Sequence, residues 1–173
     1  MTYTPQHIAN YFLDRARDEG RTLDQLKLMK LVYIAYGWHL ALTGKKLFSE
    51  DIQAWQHGPV VRSLYDEFKH FGRSPITQHA TEFDLDTFDL TVPEIPESDA
   101  DVRLILDKVW AAYKRFNGWQ LREKTHEAGT PWSVTYQDGA RDQVIPDEAI
   151  RPHFLTIIRK ILDAARAPTP ATV

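Results

Sequence analysis

Residues 26–42 read Leu-Lys-Leu-Met-Lys-Leu-Val-Tyr-Ile-Ala-Tyr-Gly-Trp-His-Leu-Ala-Leu. From Leu28 onward this stretch is apolar nearly all round, with Lys30 and His39 as the main interruptions. A helix with no polar face has nowhere to lie except the middle of a bundle. Its polar ends and its tyrosines and histidine argue against a membrane span, which takes about 20 apolar residues. Thr22 with Gln25 three residues on reads as a capping-box start. Gly44 suits the left-handed stop. The helix between them has roughly six turns, and the rest of the chain must pack around it.

The elements before and after it follow from period and punctuation. Residues 5–19 form a first helix, with Thr4 as cap, Pro5 in the first position and Gly20 as terminator. Its buried stripe is Ile8, Tyr11 and Phe12, with Leu13 and Ala16 as its further candidates. A connection this short predicts antiparallel packing on the central helix. Leu47-Phe48 and then Ile52-Gln53-Ala54-Trp55 predict a small two-stranded ribbon turning at Ser49-Glu50-Asp51. His57-Gly58-Pro59 reads as a turn leading into a helix over 59–71, with Val60, Val61, Leu64, Tyr65, Phe68 and Phe71 on one face. Ser98 starts a helix whose stripe is Val102, Ile105, Leu106, Val109, Trp110 and Tyr113, and Asn117-Gly118 ends it. A short helix covers 119–128. Gly129-Thr130-Pro131-Trp132 and Asp138-Gly139 are turns. Pro146 opens the last helix, with Ile150, Phe154, Ile157, Ile158, Ile161 and Leu162 in register. The expected fold is mainly α, a compact bundle of five or six helices with one small β-hairpin between the second and third. Residues 1–166 make one domain, and 167–173 a frayed tail.

Charge is unevenly placed. The chain has 173 residues and a net charge of −3. Residues 80–101 hold eight acids and no Lys or Arg, which leaves 16 acids against 21 bases elsewhere. An acidic strap thus crosses a mildly basic body. Its simplest reading is a solvated linker lying on that body; the sharper one is a contact for a basic partner. Phe83, Leu85, Phe88, Leu90 and Val92 alternate with its acids, as in an edge strand or an extended segment docked on the body. The chain has no cysteine, which fits a reducing cytoplasm. It also shows no secretory leader and no run of about 18 apolar residues, so membrane association is not expected.

Two motifs carry a resemblance. The helix Leu26-Lys27-Leu28-Met29-Lys30-Leu31-Val32-Tyr33-Ile34-Ala35-Tyr36-Gly37-Trp38-His39-Leu40 is similar to the signature helix of the Panacea domain, the SocA-like antitoxin family. So is Leu47-Phe48 followed by Ile52-Gln53-Ala54-Trp55-Gln56-His57-Gly58-Pro59-Val60-Val61-Arg62-Ser63-Leu64-Tyr65. Thr125-His126-Glu127-Ala128-Gly129-Thr130-Pro131-Trp132 resembles a later family segment. The resemblance spans about residues 5–160. It implies a bacterial or prophage antitoxin that binds and neutralises a protein toxin encoded beside it, with a different toxin from member to member. One described member acts as a protease adaptor, so a bacterial protease is a further partner the resemblance allows. Some members add an N-terminal DNA-binding module; this chain leaves no room for one.

The residues themselves support a binding protein. Aromatics with one exposed edge make contact hot spots, and Trp55 is the best placed of the five tryptophans because it sits on the ribbon. With it, His57, Gly58, Pro59 and Tyr65 form the expected partner-binding set, the Gly-Pro turn serving first as architecture. No catalytic residue, cofactor or metal site is expected. No Gly-x-Ser-x-Gly or phosphate-cradling loop is present. Glu67-x-x-His70 and Glu123-x-x-His126 have the spacing of di-iron ligands, with Glu19 and Glu148 as the remaining carboxylates. However, His70 falls about 80° off its helix's apolar face. The alternative function is a DNA-associated, winged-helix-like regulator using Arg62, Lys69 and Arg73. The acidic strap would repel phosphate, which disfavours it.

Overall fold

The structure is a computed structural model and describes residues 2–168, 170 and 171. Among these, α1 (Pro5–Asp18) and α2 (Gln25–Thr43) precede a ribbon of β1 (Gln53–Trp55) and β2 (Gly58–Val60). Then come α3 (Arg62–Phe68), a 3-10 turn (Lys69–Phe71), and a second hairpin of β3 (Glu82–Asp84) and β4 (Asp89–Thr91). The chain continues through α4 (Ala100–Tyr113), α5 (Gly118–His126), α6 (Pro131–Thr135) and α7 (Asp147–Arg166). The protein is mainly helical, with seven α-helices and two antiparallel hairpins among the described residues. No helix among them is long and apolar enough to cross a membrane.

The all-round apolar pattern of α2 does place it at the centre. From Lys27 to Ala41 only His39 escapes burial, and α1, α4, α5 and α7 pack around it. Gly37 faces α7. A Cβ there would lie 2.1 Å from Cδ2 of Phe154 on α7, so the glycine lets α7 approach the α2 backbone. Gly44 closes α2 at φ +71, as its position suggests. The start differs from the expected box at Thr22. Asp24 is the cap, its carboxylate accepting from the Lys27 N–H at 2.8 Å. Asp24 is an equally good capping residue, and it makes α2 shorter than six turns.

Other boundaries shift for identifiable reasons. The ribbon turns at Gln56-His57 rather than at Ser49-Glu50-Asp51. Gln53 pairs with Val60 and Trp55 with Gly58, so Gly58-Pro59-Val60 is a strand and not a turn entering a helix. Phe48 makes only a single bridge, to Tyr3. The other edge of β1 is covered by residues 143–145, through Ala54 N–H to the Gln143 carbonyl and Ile145 N–H to the Ile52 carbonyl, both 2.8 Å. That third segment is what steadies so short a ribbon. Val61, which has no capping side chain, precedes α3. The Glu50 carboxylate substitutes by accepting from the Ser63 N–H at 3.0 Å and the Ser63 hydroxyl at 2.7 Å, an anion at the positive helix end. Asn117 does not end α4; it caps α5 in a reciprocal box with Gln120. Residues 131–135 form α6 instead of a turn, capped by Thr130. Ile150, Phe154 and Ile158 of α7 are buried, but Ile161 and Leu162 are exposed, because the last turns of α7 outrun what they could pack on. Part of the expected frayed tail, at 169, 172 and 173, lies outside the described residues.

The acidic segment is the largest departure. It is a hairpin, β3 against β4, with Phe83 opposite Leu90. Its five apolar side chains are exposed instead of docked on the body. None of the eight acids at 82–101 pairs with a Lys or Arg among the described residues; the strap meets the body instead through buried Ala80, Pro93 and Ile95.

Candidate partner-binding site

The ribbon turn, α3 and the start of α5 meet around a groove of about 580 Å³. Trp55, His57 and Tyr65, three of the five residues singled out from the sequence, line it together with Gln25, Met29, Lys30, Arg73 and Trp119. The Tyr65 ring stands edge-on to Trp55, with centroids 4.8 Å apart. The indole N–H of Trp55 donates to Gln53 Oε1 at 2.8 Å, and its carbonyl accepts from the Trp132 indole at 2.7 Å. Both ends of Trp55 are thus held while one face of its ring stays half-exposed. His57 is exposed at the tip and meets Trp119 edge to face.

Gly58 and Pro59 are buried and lie beneath this surface. Gly58 has φ +110, and a Cβ would meet Lys30 Cε at 2.7 Å and Thr125 Oγ1 at 3.0 Å. Glycine is therefore required both for the backbone and for space. Gly58→Ala is expected to destabilise the fold by roughly 1–3 kcal/mol, read as a lower midpoint in a urea titration.

Basic side chains lie beneath and behind the groove. Lys30 is fully buried, and its Nζ donates to the Pro59 carbonyl at 3.1 Å. Burial, with Arg122 nearby, pushes its ammonium down to about 7. The Arg122 guanidinium lies 5.2 Å from the centroid of Trp119 and binds Glu123 at 2.7 Å. His126 stacks on Trp132 at 3.7 Å and Trp132 on Tyr136 at 4.8 Å. Burial, then Arg122 and Lys30, push His126 down to about 4, so the stacked imidazole is neutral. Its Nε2 and the Arg122 Nε are buried without a partner. These groups brace the ribbon from behind. Three aromatic rings thus stand at the surface over a buried support.

Trp119 is the functional candidate that sequence reasoning passed over. The buried positions of α5 are Gly118, Leu121 and Thr125, a helical stripe. Trp119 lies about 100° off it, which is the signal that would have found it. Trp38 and Trp110 are core, and Trp132 is half-buried. A second concavity of about 540 Å³ between α4, α5 and α7 includes Phe116, Lys124 and His153 and none of the residues singled out beforehand.

The other candidates do not assemble. Glu67 accepts from the Thr81 N–H at 3.1 Å, His70 is exposed against Phe71, and Glu123 is engaged by Arg122. Among the described residues no three His, Asp or Glu side chains converge as metal ligands. Arg62 binds Asp142 at 3.1 Å and Lys69 binds Asp66 at 2.9 Å, so two of the three cations a DNA reading would use already face acids. His39 sits near the end of α2 with its Nδ1–H donating to the Lys45 carbonyl at 2.9 Å.

The chain is thus a helical domain with a braced aromatic groove on its surface. The family model described as antitoxin SocA-like, Panacea domain, matches residues 28–133, which contain Trp55, His57, Tyr65 and Trp119 of the groove. The chain is also 30% identical over 139 residues to the antitoxin SocA of Caulobacter vibrioides (strain NA1000 / CB15N), covering 78% of this chain and 73% of that relative. The chain belongs to the SocA-like antitoxin, Panacea domain family. No solved structure matches it.

Proposed function

We propose that this protein is an antitoxin that binds a protein toxin encoded beside it and neutralises it by direct complex formation, with the groove at Trp55, His57 and Tyr65 as the contact surface. The observation that carries the reading is the convergence of these three side chains, two from the ribbon and one from α3, on one groove in a chain of this family. Membership of the family supports the antitoxin role, and an antitoxin implies a toxin partner. The action is stoichiometric and steric. Trp55, Tyr65 and Trp119 offer rigid apolar area at low entropic cost, and Gly58 and Pro59 hold the ribbon at the angle that exposes them. No catalytic residue or cofactor takes part.

The test is a growth assay in which the neighbouring open reading frame is induced alone, with this chain, and with its Trp55→Ala/Tyr65→Ala variant. The neighbour is expected to arrest growth and the native chain to relieve the arrest. Hot-spot truncation commonly weakens binding about tenfold or more, so the variant should relieve the arrest poorly while its circular dichroism matches the native chain. Full relief by the variant removes the groove from the account. A harmless neighbour removes the toxin.

A further inference from the structure

The second hairpin has no role in the groove, and its construction is unusual for a loop. Its root is fixed. Asn10, buried on α1, donates through Nδ2 to the Ala80 and Pro93 carbonyls at 3.0 Å each and accepts from the Ala80 N–H at 2.8 Å. One side chain therefore clamps both ends of the excursion. Thr4, the cap of α1, binds Glu82, and Glu67 on α3 accepts from the Thr81 N–H. Beyond this root the arm is free of the body, yet it is not polar. Phe83, Leu85, Phe88 and Leu90 are 54%, 75%, 78% and 64% exposed. Phe83 stands opposite Leu90 and edge-on to Phe88, so they form one continuous patch. Isolated exposed apolar residues are ordinary, whereas a contiguous patch marks a contact surface.

We propose that the arm, residues 81–92, is a second docking surface for the toxin, and that it takes a patch apolar at its centre and basic at its rim. This rests on the antitoxin reading above and adds the chemistry of the partner. Charge decides the occupant. Asp84, Asp86 and Asp89 lie between the apolar residues, and no Lys or Arg of this chain pairs with them among the described residues. Two copies joined arm to arm would set acid against acid, a repulsion that complementary interfaces avoid. A basic rim on a different protein supplies the missing counter-charges.

The experiment uses the full chain and the purified product of the neighbouring open reading frame, with affinity measured at about 0.1 M and about 0.5 M salt, between which screening shortens more than twofold. Three proteins are compared: native, Phe83→Ser/Phe88→Ser/Leu90→Ser, and Asp84→Asn/Asp86→Asn/Asp89→Asn. Because the changed side chains are exposed or on the hairpin alone, thermal melting should stay near that of the native chain. The serine variant is expected to bind about tenfold or more weakly at both salts. The asparagine variant should bind more weakly at low salt and lose most of the native salt dependence. If both bind as the native chain does while Trp55→Ala/Tyr65→Ala does not, the arm is no docking surface and the antitoxin reading stands. If the native chain itself fails to bind, both fall. If the native chain alone sediments as a dimer and the serine variant as a monomer, the occupant is a second copy and the proposal is overturned.

Discussion

Between pH 7 and pH 10 Lys30 is expected to add about 3–4 kcal/mol to the stability of the folded chain, on top of a gain from Lys27, which burial also lowers, and Lys30→Met to remove the Lys30 share. The buried Lys30 ammonium is pushed down to about 7 from an ordinary 10.5. In that interval the unfolded chain holds the proton and the folded chain has released it, so raising the pH favours the folded state. The neighbouring windows belong to other groups. His126, down at about 4 from 6.5, makes stability fall as pH drops below 6.5. Tyr3 and Tyr11, raised to about 12 by burial and by hydrogen bonds to Asp99 and Asp107, make it fall again above 10. Methionine keeps the stem of Lys30 and removes the charge, and it leaves the Pro59 carbonyl without its donor at a cost of about 1–3 kcal/mol. The two proteins' stability curves should therefore cross, the variant being less stable at pH 10 and at least as stable at pH 6. Urea titrations at each pH read this directly. Parallel curves would mean that Lys30 is not buried as a strained cation.

Gly37→Ala is expected to destabilise the protein by about 2 kcal/mol, although alanine is the better helix former by about 1 kcal/mol. Its Cβ would enter the ring of Phe154, which is itself buried and cannot withdraw, and overpacking of this kind costs about 1–3 kcal/mol or more. Phe154→Ala alone should cost about 3–5 kcal/mol through lost burial and the cavity it leaves. The double variant separates contact from coincidence. With the ring gone the new methyl has room, so the pair should lose at least about 1 kcal/mol less than the two singles added together. Strict additivity in denaturant unfolding would show that α7 does not press on Gly37.

These residues also explain which parts of the molecule could be read from its sequence. The central position of α2 was legible because a helix without a polar face admits one placement, and the stripes of α1, α4 and α7 followed from period alone. The ribbon was located correctly between α2 and α3 but turned in the wrong place. Strands of three residues carry no period, and Gly58-Pro59 is as good a turn signal as a strand with a tight approach behind it. Asn117-Gly118 served equally as a stop or a start, and only the Gln120 reciprocity decides. Of the candidate site, Trp55, His57 and Tyr65 were readable as aromatic and turn residues. Trp119 and the Lys30–Arg122–His126 support were not, because they reach the groove from α5 and α2 through tertiary packing. The arm was seen as acidic and alternating, yet no local rule says that an alternating apolar face will be left without a cover.

The central claim is that this chain holds its toxin through the groove. The most direct measurement is co-purification of the tagged chain with the product of the neighbouring open reading frame, for the native protein and for Trp55→Ala/Tyr65→Ala in parallel. The account predicts a stoichiometric complex with the native chain and its loss, or dissociation during washing, with the variant at unchanged fold. An equally stable complex with the variant would place the contact elsewhere, and no complex with the native chain would contradict the claim itself.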